Sequence, residues 1–381
     1  MPGRQRLALA FLIQKRFFSM SILFEPITIG TLQLPNRIMR SATAERLVNL
    51  ETGAPRPKLS RLYRALAEGG VGLIVTGHAY VERSGRTHAE MSSIAQDELI
   101  PIWRKTIRPA QRAGARVMMQ INHGGANCDS TGTPEPLSPS GVAAPDMAKP
   151  RAMTEEEVLR LVVSFGQAAR RVREAGFDGV QLHGAHGYLI SQFLVPATNH
   201  RDDRWGGDAE RRCAFLKAVV SEVRRQVGDD YPVWIKLGVA GFQWTGLTVS
   251  EGAQVARACT EYGIDCVEIS FAIGMPEELD TPGEAPLLPL AQAVCQAVGP
   301  SYPLALVNGF RSRAVMEEVL GSGVVQLISL SRPLIAEPDL PNKMRDGRSS
   351  QVACVRCDRC WPEKCGEGIA CHNDKVQEAL R

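Results

Sequence analysis

No apolar run in the 381-residue chain approaches the ~20 residues needed to cross a bilayer. The best stretch, Leu7 to Ile13, is too short, so no membrane partner is expected. Strong charge of either sign is also missing. A net charge of +3 is near neutral at this length and gives no reason to expect nucleic acid. There is no fixed sequence repeat and no low-complexity segment. Cysteine is sparse outside the tail: five of the ten lie after residue 353, which excludes a chain-wide disulfide framework. Cys259 and Cys266 sit in apolar patterns and read as small core residues. The simplest compartment is reducing and cytoplasmic. Residues 1–20 contain no acidic residue. They read as an extension upstream of a true start at Met20, with the folded chain opening at Leu23. The alternative is a mitochondrial-type presequence, which would make the location organellar.

What is present is 44% apolar residues, enough for a sizeable core, and a rhythm. A helix-period segment ends in a glycine turn, and a short apolar run follows. In the clearest copy, Thr154 and Glu157 form a capping box. Val158, Leu161, Val162, Phe165, Ala169 and Val172 then recur at helical spacing. Gly176 suits the helix end, and Gly179 to Leu182 reads as a buried strand. Counting Arg37–Ser41, Val71–Thr76, Arg116–Ile121, Val233–Leu237, Cys266–Ser270, Pro303–Val307 and Val324–Leu330, there are about eight strands with helices between them. That alternation predicts an α/β fold, a (β/α)8 TIM barrel. A doubly wound sheet is the alternative, but its early Gly-x-Gly-x-x-Gly turn is missing. Residues 23–36 predict an N-terminal hairpin cap. The three expected segments are 1–22, a barrel over 23–347, and a Cys-rich tail over 348–381. Residues 122–153 and 184–211 are the longest loops, and both follow strands, on the face where barrels place active sites.

His183 closes the fourth strand, with His186 and Tyr188 just behind it. Two imidazoles and a phenol at a strand end can grip a carbonyl oxygen and deliver a proton. His-x-x-His spacing also admits zinc, although no carboxylate or further histidine is expected in matching register at another strand end. Gln120 and Lys236 stand near the ends of the third and fifth strands, where polar side chains face the active side. Lys236 could hold negative charge on a cofactor ring. Gly309, Ser331 and Arg332 follow the seventh and eighth strands, where barrels often bind phosphate. The bland readings are loop histidines satisfied by backbone, inner-barrel polar pairs and ordinary turns. In the tail, Cys354, Cys357, Cys360, Cys365 and Cys371 fall within 18 positions and could bind zinc or an iron–sulfur cluster.

Taken together these residues resemble the old yellow enzyme family over Leu23 to Gly347. The most specific block runs from His183-Gly-Ala-His186-Gly-Tyr188-Leu to Asn199-His-Arg-Asp-Asp203, Trp205-Gly-Gly, Glu210 and Arg212. It is similar to the family's HxxHGYL…NxRxDxYGG…ENR pattern. Asn36-Arg37-Ile38 and Ser331-Arg332-Pro333 resemble its opening and its ending. The resemblance implies FMN as cofactor and NAD(P)H as reductant. By it, Ser41, Ala42 and Thr43 lie along the flavin, with Gly77 and His78 beside them. Gln120 meets the pyrimidine edge and Lys236 lies near N1 and the C2 oxygen. Gly309, Ser331 and Arg332 take the phosphate. His183 and His186 bind the carbonyl oxygen of a small unsaturated carbonyl substrate, and Tyr188 protonates the alkene. The chain departs from the family at Ala42, Ala44, Trp205 and Ser331.

The tail resembles that of iron–sulfur members such as 2,4-dienoyl-CoA reductase, with Cys354, Cys357, Cys360 and Cys371 as ligands at gaps of two, two and ten. It ranks behind a flavin-only barrel whose tail is vestigial or binds zinc. The expected reaction is a two-step exchange in which NAD(P)H supplies the hydride and an α,β-unsaturated carbonyl compound accepts it. The rival from another class is a flavin-free lyase or aldolase with a metal on His183 and His186 and Lys236 as base or Schiff-base amine. Homo-oligomerisation is left open.

Overall fold

A computed structural model describes residues 21–143, 148–279, 282–362 and 364–380. The expectation for residues 1–22 therefore lies outside them, apart from Ser21 and Ile22.

Eight parallel strands close into a barrel: Ile38–Arg40, Leu73–Val75, Arg116–Asn122, Gly179–Gly184, Val233–Ala240, Cys266–Phe271, Leu304–Val307 and Leu327–Leu330. Each pairs with the next, the third with the fourth through Gly179 opposite Met118. The eighth pairs with the first through Ile328 opposite Ile38, so no edge is left open. Seven helices alternate with the strands: Pro57–Glu68, Leu99–Arg112, Glu155–Glu174, Ala214–Val227, Val249–Tyr262, Leu288–Val298 and Arg313–Gly321. The helix from Glu155 begins at the expected Thr154–Glu157 capping box and buries all six predicted apolar positions. Gly176 follows it with a φ of +85°, a left-handed turn that glycine adopts without steric cost.

Side chains on a strand alternate between its two faces, and the barrel interior is layered accordingly. Met39, Met118, Trp234, Cys266 and Leu327 form an apolar layer. It is sealed by Ile29, Leu32 and Leu34 of an antiparallel hairpin joining Ile27–Ile29 to Leu32–Leu34. This is the predicted cap. Two residues further along each of the same strands, the inward positions become Ser41, Gln120, Lys236, Glu268 and Ser329, all buried. The barrel thus has an apolar plug below and a polar floor above, at the end where the strands' C-termini open.

One expectation needs correction. Lys236 does not stand near the end of its strand, because the strand runs on to Ala240. The lysine projects from mid-strand into the interior. The segment between the second strand and its helix, residues 76–98, is a third long loop with two short strands, Ala79–Tyr80 and Ser92–Ser93. Ala79–Tyr80 pairs with Ile121–Asn122. This explains how His78 reaches the active face.

Candidate active site

Two adjoining cavities, of ≈ 560 Å³ and ≈ 330 Å³, open over the polar floor. Both are lined by Ala42, His186, Ser331 and Arg332. The larger also meets Ser41, Lys236 and Gly309, and the smaller Thr43, His78, Gln120, His183 and Tyr188. Of the barrel residues expected to bind cofactor or substrate, only Gly77 lines neither. Its N–H donates instead to both carboxylate oxygens of Glu45 at 3.0 Å. Glu45 is itself buried against Arg40 and the Tyr63 hydroxyl.

His183, His186 and Tyr188 converge. The His183 ring lies 5.1 Å from that of His186 and 4.8 Å from that of Tyr188, both edge-on. His78 joins them, 5.1 Å from Tyr188 and 5.8 Å from His183. Burial removes charge from the whole cluster. It pushes the His183 imidazole well below its usual range, and the neighbouring His186 and His78 push the same way. Burial, then Lys236, lowers His186 to about 3. Burial, then His88, lowers His78 to about 3. Burial raises the Tyr188 phenol to about 12. At neutral pH the imidazoles are uncharged and the phenol keeps its proton.

A neutral imidazole has one donor and one acceptor nitrogen. The Ala185 N–H donates to His183 Nδ1 at 3.4 Å, which assigns the ring proton to Nε2 and makes that atom a donor. His186 Nε2 is paired with the Ser270 hydroxyl at 2.8 Å. The loop fold that makes this possible is strained, since His186 has a φ of 58°, costly for a residue with a Cβ. Gly187 follows in the same region at 71°.

The floor is one connected hydrogen-bond network. Lys236 Nζ donates to Ser41 Oγ at 2.6 Å and to Glu268 Oε1 at 3.2 Å. Glu268 Oε1 also accepts from Ser41 at 2.7 Å and Ser329 at 2.6 Å. Its Oε2 accepts from Gln181 at 3.0 Å, and Gln181 Oε1 accepts from Gln120 at 2.8 Å. Burial works to raise the Glu268 carboxyl. The Lys236 ammonium and the two hydroxyls outweigh it, so the group is held below the usual carboxylate range.

Glu268, Lys236's direct cross-strand partner, was not singled out in the sequence; it lies mid-strand and, among the described residues, gives His183 and His186 no third metal ligand. Gln181, Ser270 and Ser329 were missed with it. The signal was present, since a Glu between Val267 and Ile269 in a barrel strand carries the same information as the Lys read from Ile235-Lys236-Leu237.

At the other end Asn308 and Gly309 both take positive φ, 88° and 79°, and a Cβ on Gly309 would lie 2.3 Å from Pro286. Arg332 pairs with Asp358. That contact comes from the tail, which folds across the mouth. Cys354, Arg356 and Asp358 line the larger cavity, and Asp358, Cys360 and Trp361 the smaller. Burial raises the Cys360 thiol to about 11, and Cys354, Cys371 and Cys357 lie near enough to push it further up. Cys365 stands apart beside Glu90. Among the described residues no three His, Cys, Asp or Glu side chains converge on a metal position, including around His183 and His186. No described helix is long and apolar enough to cross a membrane.

The layered barrel and its strand-end cluster define the class: a (β/α)8 barrel with a long polar-floored cavity and an uncharged hydrogen-bonding head. Residues 22–351 match the NADH:flavin oxidoreductase / NADH oxidase family, and the chain belongs to that family, that of the old yellow enzymes. The chain is 35% identical to a metal reductase of Desulforamulus reducens over 89% of its own length but 51% of that protein's. It is 32% identical to a probable NADH-dependent flavin oxidoreductase, YqiG, of Bacillus subtilis over 87% of its own length and 90% of that protein's. Thus it spans about half the length of some curated relatives and nearly all of others. Among solved structures, a 2-naphthoyl-CoA reductase complex superposes with a TM-score of 0.83 at 27% identity, covering 88% of this chain and 54% of that one. The old yellow enzyme homologue from Zymomonas mobilis gives 0.74 at 25%, covering 87% and 95%.

Proposed function

We propose that the protein binds FMN in the two joined cavities and uses NAD(P)H to reduce the C=C bond of α,β-unsaturated carbonyl compounds. The observation that carries this reading is the uncharged His183–His186–Tyr188 cluster standing directly above a polar floor. The residues fit the cofactor. An ammonium carries three N–H donors, and Lys236 spends two within the floor. Gln120 uses one N–H on Gln181, and its Oε1 has no protein partner among the described residues. Lys236 and Gln120 would meet the polar edge of the ring, with Gly309, Ser331 and Arg332 toward the phosphate. When bound, FMN supplies a carrier for the hydride.

The protein's own groups then act on the substrate. His183 Nε2–H donates to the carbonyl oxygen and His186 assists, with Ser270 fixing its ring. Both donors strengthen as negative charge develops on that oxygen. Tyr188 passes its phenolic proton to the α-carbon as general acid. Its raised pKa keeps the proton available through the neutral range. The geometry gives no support to the metal-dependent lyase, because among the described residues His183 and His186 gain no third ligand.

Absorbance of purified or FMN-reconstituted protein tests the reading. A flavin spectrum that bleaches anaerobically with NAD(P)H and returns on adding a cyclic enone is expected. A colourless protein that takes up no FMN contradicts it.

The tail supports a second reading, an iron–sulfur flavoenzyme of the 2,4-dienoyl-CoA reductase type. Cys354, Cys357 and Cys371 lie near enough to Cys360 to act on its thiol, while Cys365 stands beside Glu90. Four thiolates suit a soft site by donor chemistry, although among the described residues they do not converge on a metal position. They would have to draw closer on binding. Iron and sulfide analysis of anaerobically purified protein separates this from zinc and from an empty tail.

A further inference from the structure

We infer that Glu268 is a positioning residue for the redox site. It sets both the net charge that Lys236 presents to the cofactor and the orientation in which Gln120 meets it. The inference rests on the FMN reading above.

Burial makes the charge effect large. Lys236 and Glu268 are 3% and 0% exposed, so water screens neither and each feels chiefly the other. A lone Lys236 would present a full positive charge to whatever lies above the floor. Paired with Glu268 at 3.2 Å, it presents a dipole. Hydride addition to a neutral ring transfers two electrons and one proton and leaves one negative charge on it, while the nicotinamide departs oxidised. An uncompensated ammonium would favour that charged state strongly. The carboxylate offsets much of this, so the reduced cofactor gives its hydride up more readily.

Donor and acceptor capacity fixes the orientation of Gln120. An ionised carboxylate only accepts. Gln181 must therefore turn its NH₂ toward Glu268 Oε2, which turns its Oε1 toward Gln120. Gln120 must answer with its own NH₂, and its Oε1 is left for the cavity. The carboxylate at one end thus fixes which atom Gln120 shows to a ligand, two side chains away. The distances along the relay, 3.0 and 2.8 Å, are those of ordinary hydrogen bonds. A neutral amide at position 268 can donate or accept, and either orientation of the relay then becomes available.

Three variants separate these effects from a structural role. E268Q keeps shape and removes charge. Its midpoint potential, titrated on the holoprotein against reference dyes, rises by at least tenfold in the reduction equilibrium, about 30 mV for a two-electron couple. Reoxidation by a cyclic enone slows while reduction by NAD(P)H does not. E268D withdraws the carboxylate by one methylene and moves the potential the same way by less; it carries the test if E268Q does not hold flavin. Q181M breaks the relay but leaves the ion pair. It weakens FMN binding roughly tenfold, the worth of about one hydrogen bond, with the potential unmoved. A flavin-loaded E268Q or E268D at the wild-type potential overturns the charge claim. A Q181M protein with wild-type FMN affinity overturns the relay. Wild-type protein that binds no FMN contradicts the function instead, and the two failures are thereby told apart.

Discussion

At the scale of residues, one physical cause organises the site: burial removes charge. The same desolvation that lowers His186 to about 3 raises Tyr188 to about 12. It leaves two neutral donors and a protonated acid side by side. Replacing His183 and His186 together by Ala is expected to weaken binding of a phenolate-type ligand roughly 10- to 100-fold, from the loss of hydrogen bonds to a charged oxygen. Perturbation of the flavin absorbance by the phenol measures it, and unchanged affinity would remove the pair from the oxygen site. The histidines and the tyrosine were legible because they cluster within six positions at a strand end. Glu268 carries the same signal as Lys236, a charged residue between apolar neighbours in a strand, but its role does not show there. Its meaning lies in register with Lys236, which only the closed barrel supplies. The sequence offers Arg332 to a phosphate, but its pairing with Asp358 depends on where the tail folds, which spacing alone does not give.

Secondary-structure elements carry the site by periodicity. Period two along five strands converts an apolar plug into a polar floor within one step. The eight strands, the cap and the Thr154 capping box were readable because each has a local cause: β-run, turn, or reciprocal hydrogen bond. The loop over residues 76–98 was harder, since its two-residue strands are stabilised by pairing with Ile121–Asn122 and not by local pattern. The helix Glu155–Glu174 packs outside the barrel, away from the cavities. Thr154→Ala should therefore cost about 1 kcal/mol of stability and leave FMN affinity unchanged. Urea denaturation and flavin titration on one preparation check both halves. A loss of flavin affinity would show that the helix reaches the site.

For the whole molecule, the buried His78, His123 and His183 and the half-buried His88 and His186 predict a pH dependence. His78 and His186 are lowered to about 3, His88 and His123 to about 4, and His183 well below its usual range, burial being the largest cause in each. Between these values and the unfolded value near 6.5 the unfolded chain binds protons that the folded chain does not. Stability is thus fully present above about pH 6.5 and falls as pH drops toward the folded values, by up to ~1.4 kcal/mol per pH unit for each histidine. Urea midpoints at pH 7.5, 6.0 and 5.0 should decline steadily, above the range where carboxylates contribute most. A flat profile would mean that these rings are not buried neutral.

On the proposed function, an uncharged His183–His186 pair holds the acceptor's oxygen while Tyr188 supplies the proton, over a reducible flavin. Anaerobic stopped-flow kinetics of Tyr188→Phe tests it most directly. Reduction of the bound flavin by NAD(P)H should match wild type, and reoxidation by a cyclic enone should slow by roughly 10²- to 10⁴-fold. Equal slowing of both half-reactions, or reoxidation at the wild-type rate, would contradict the account.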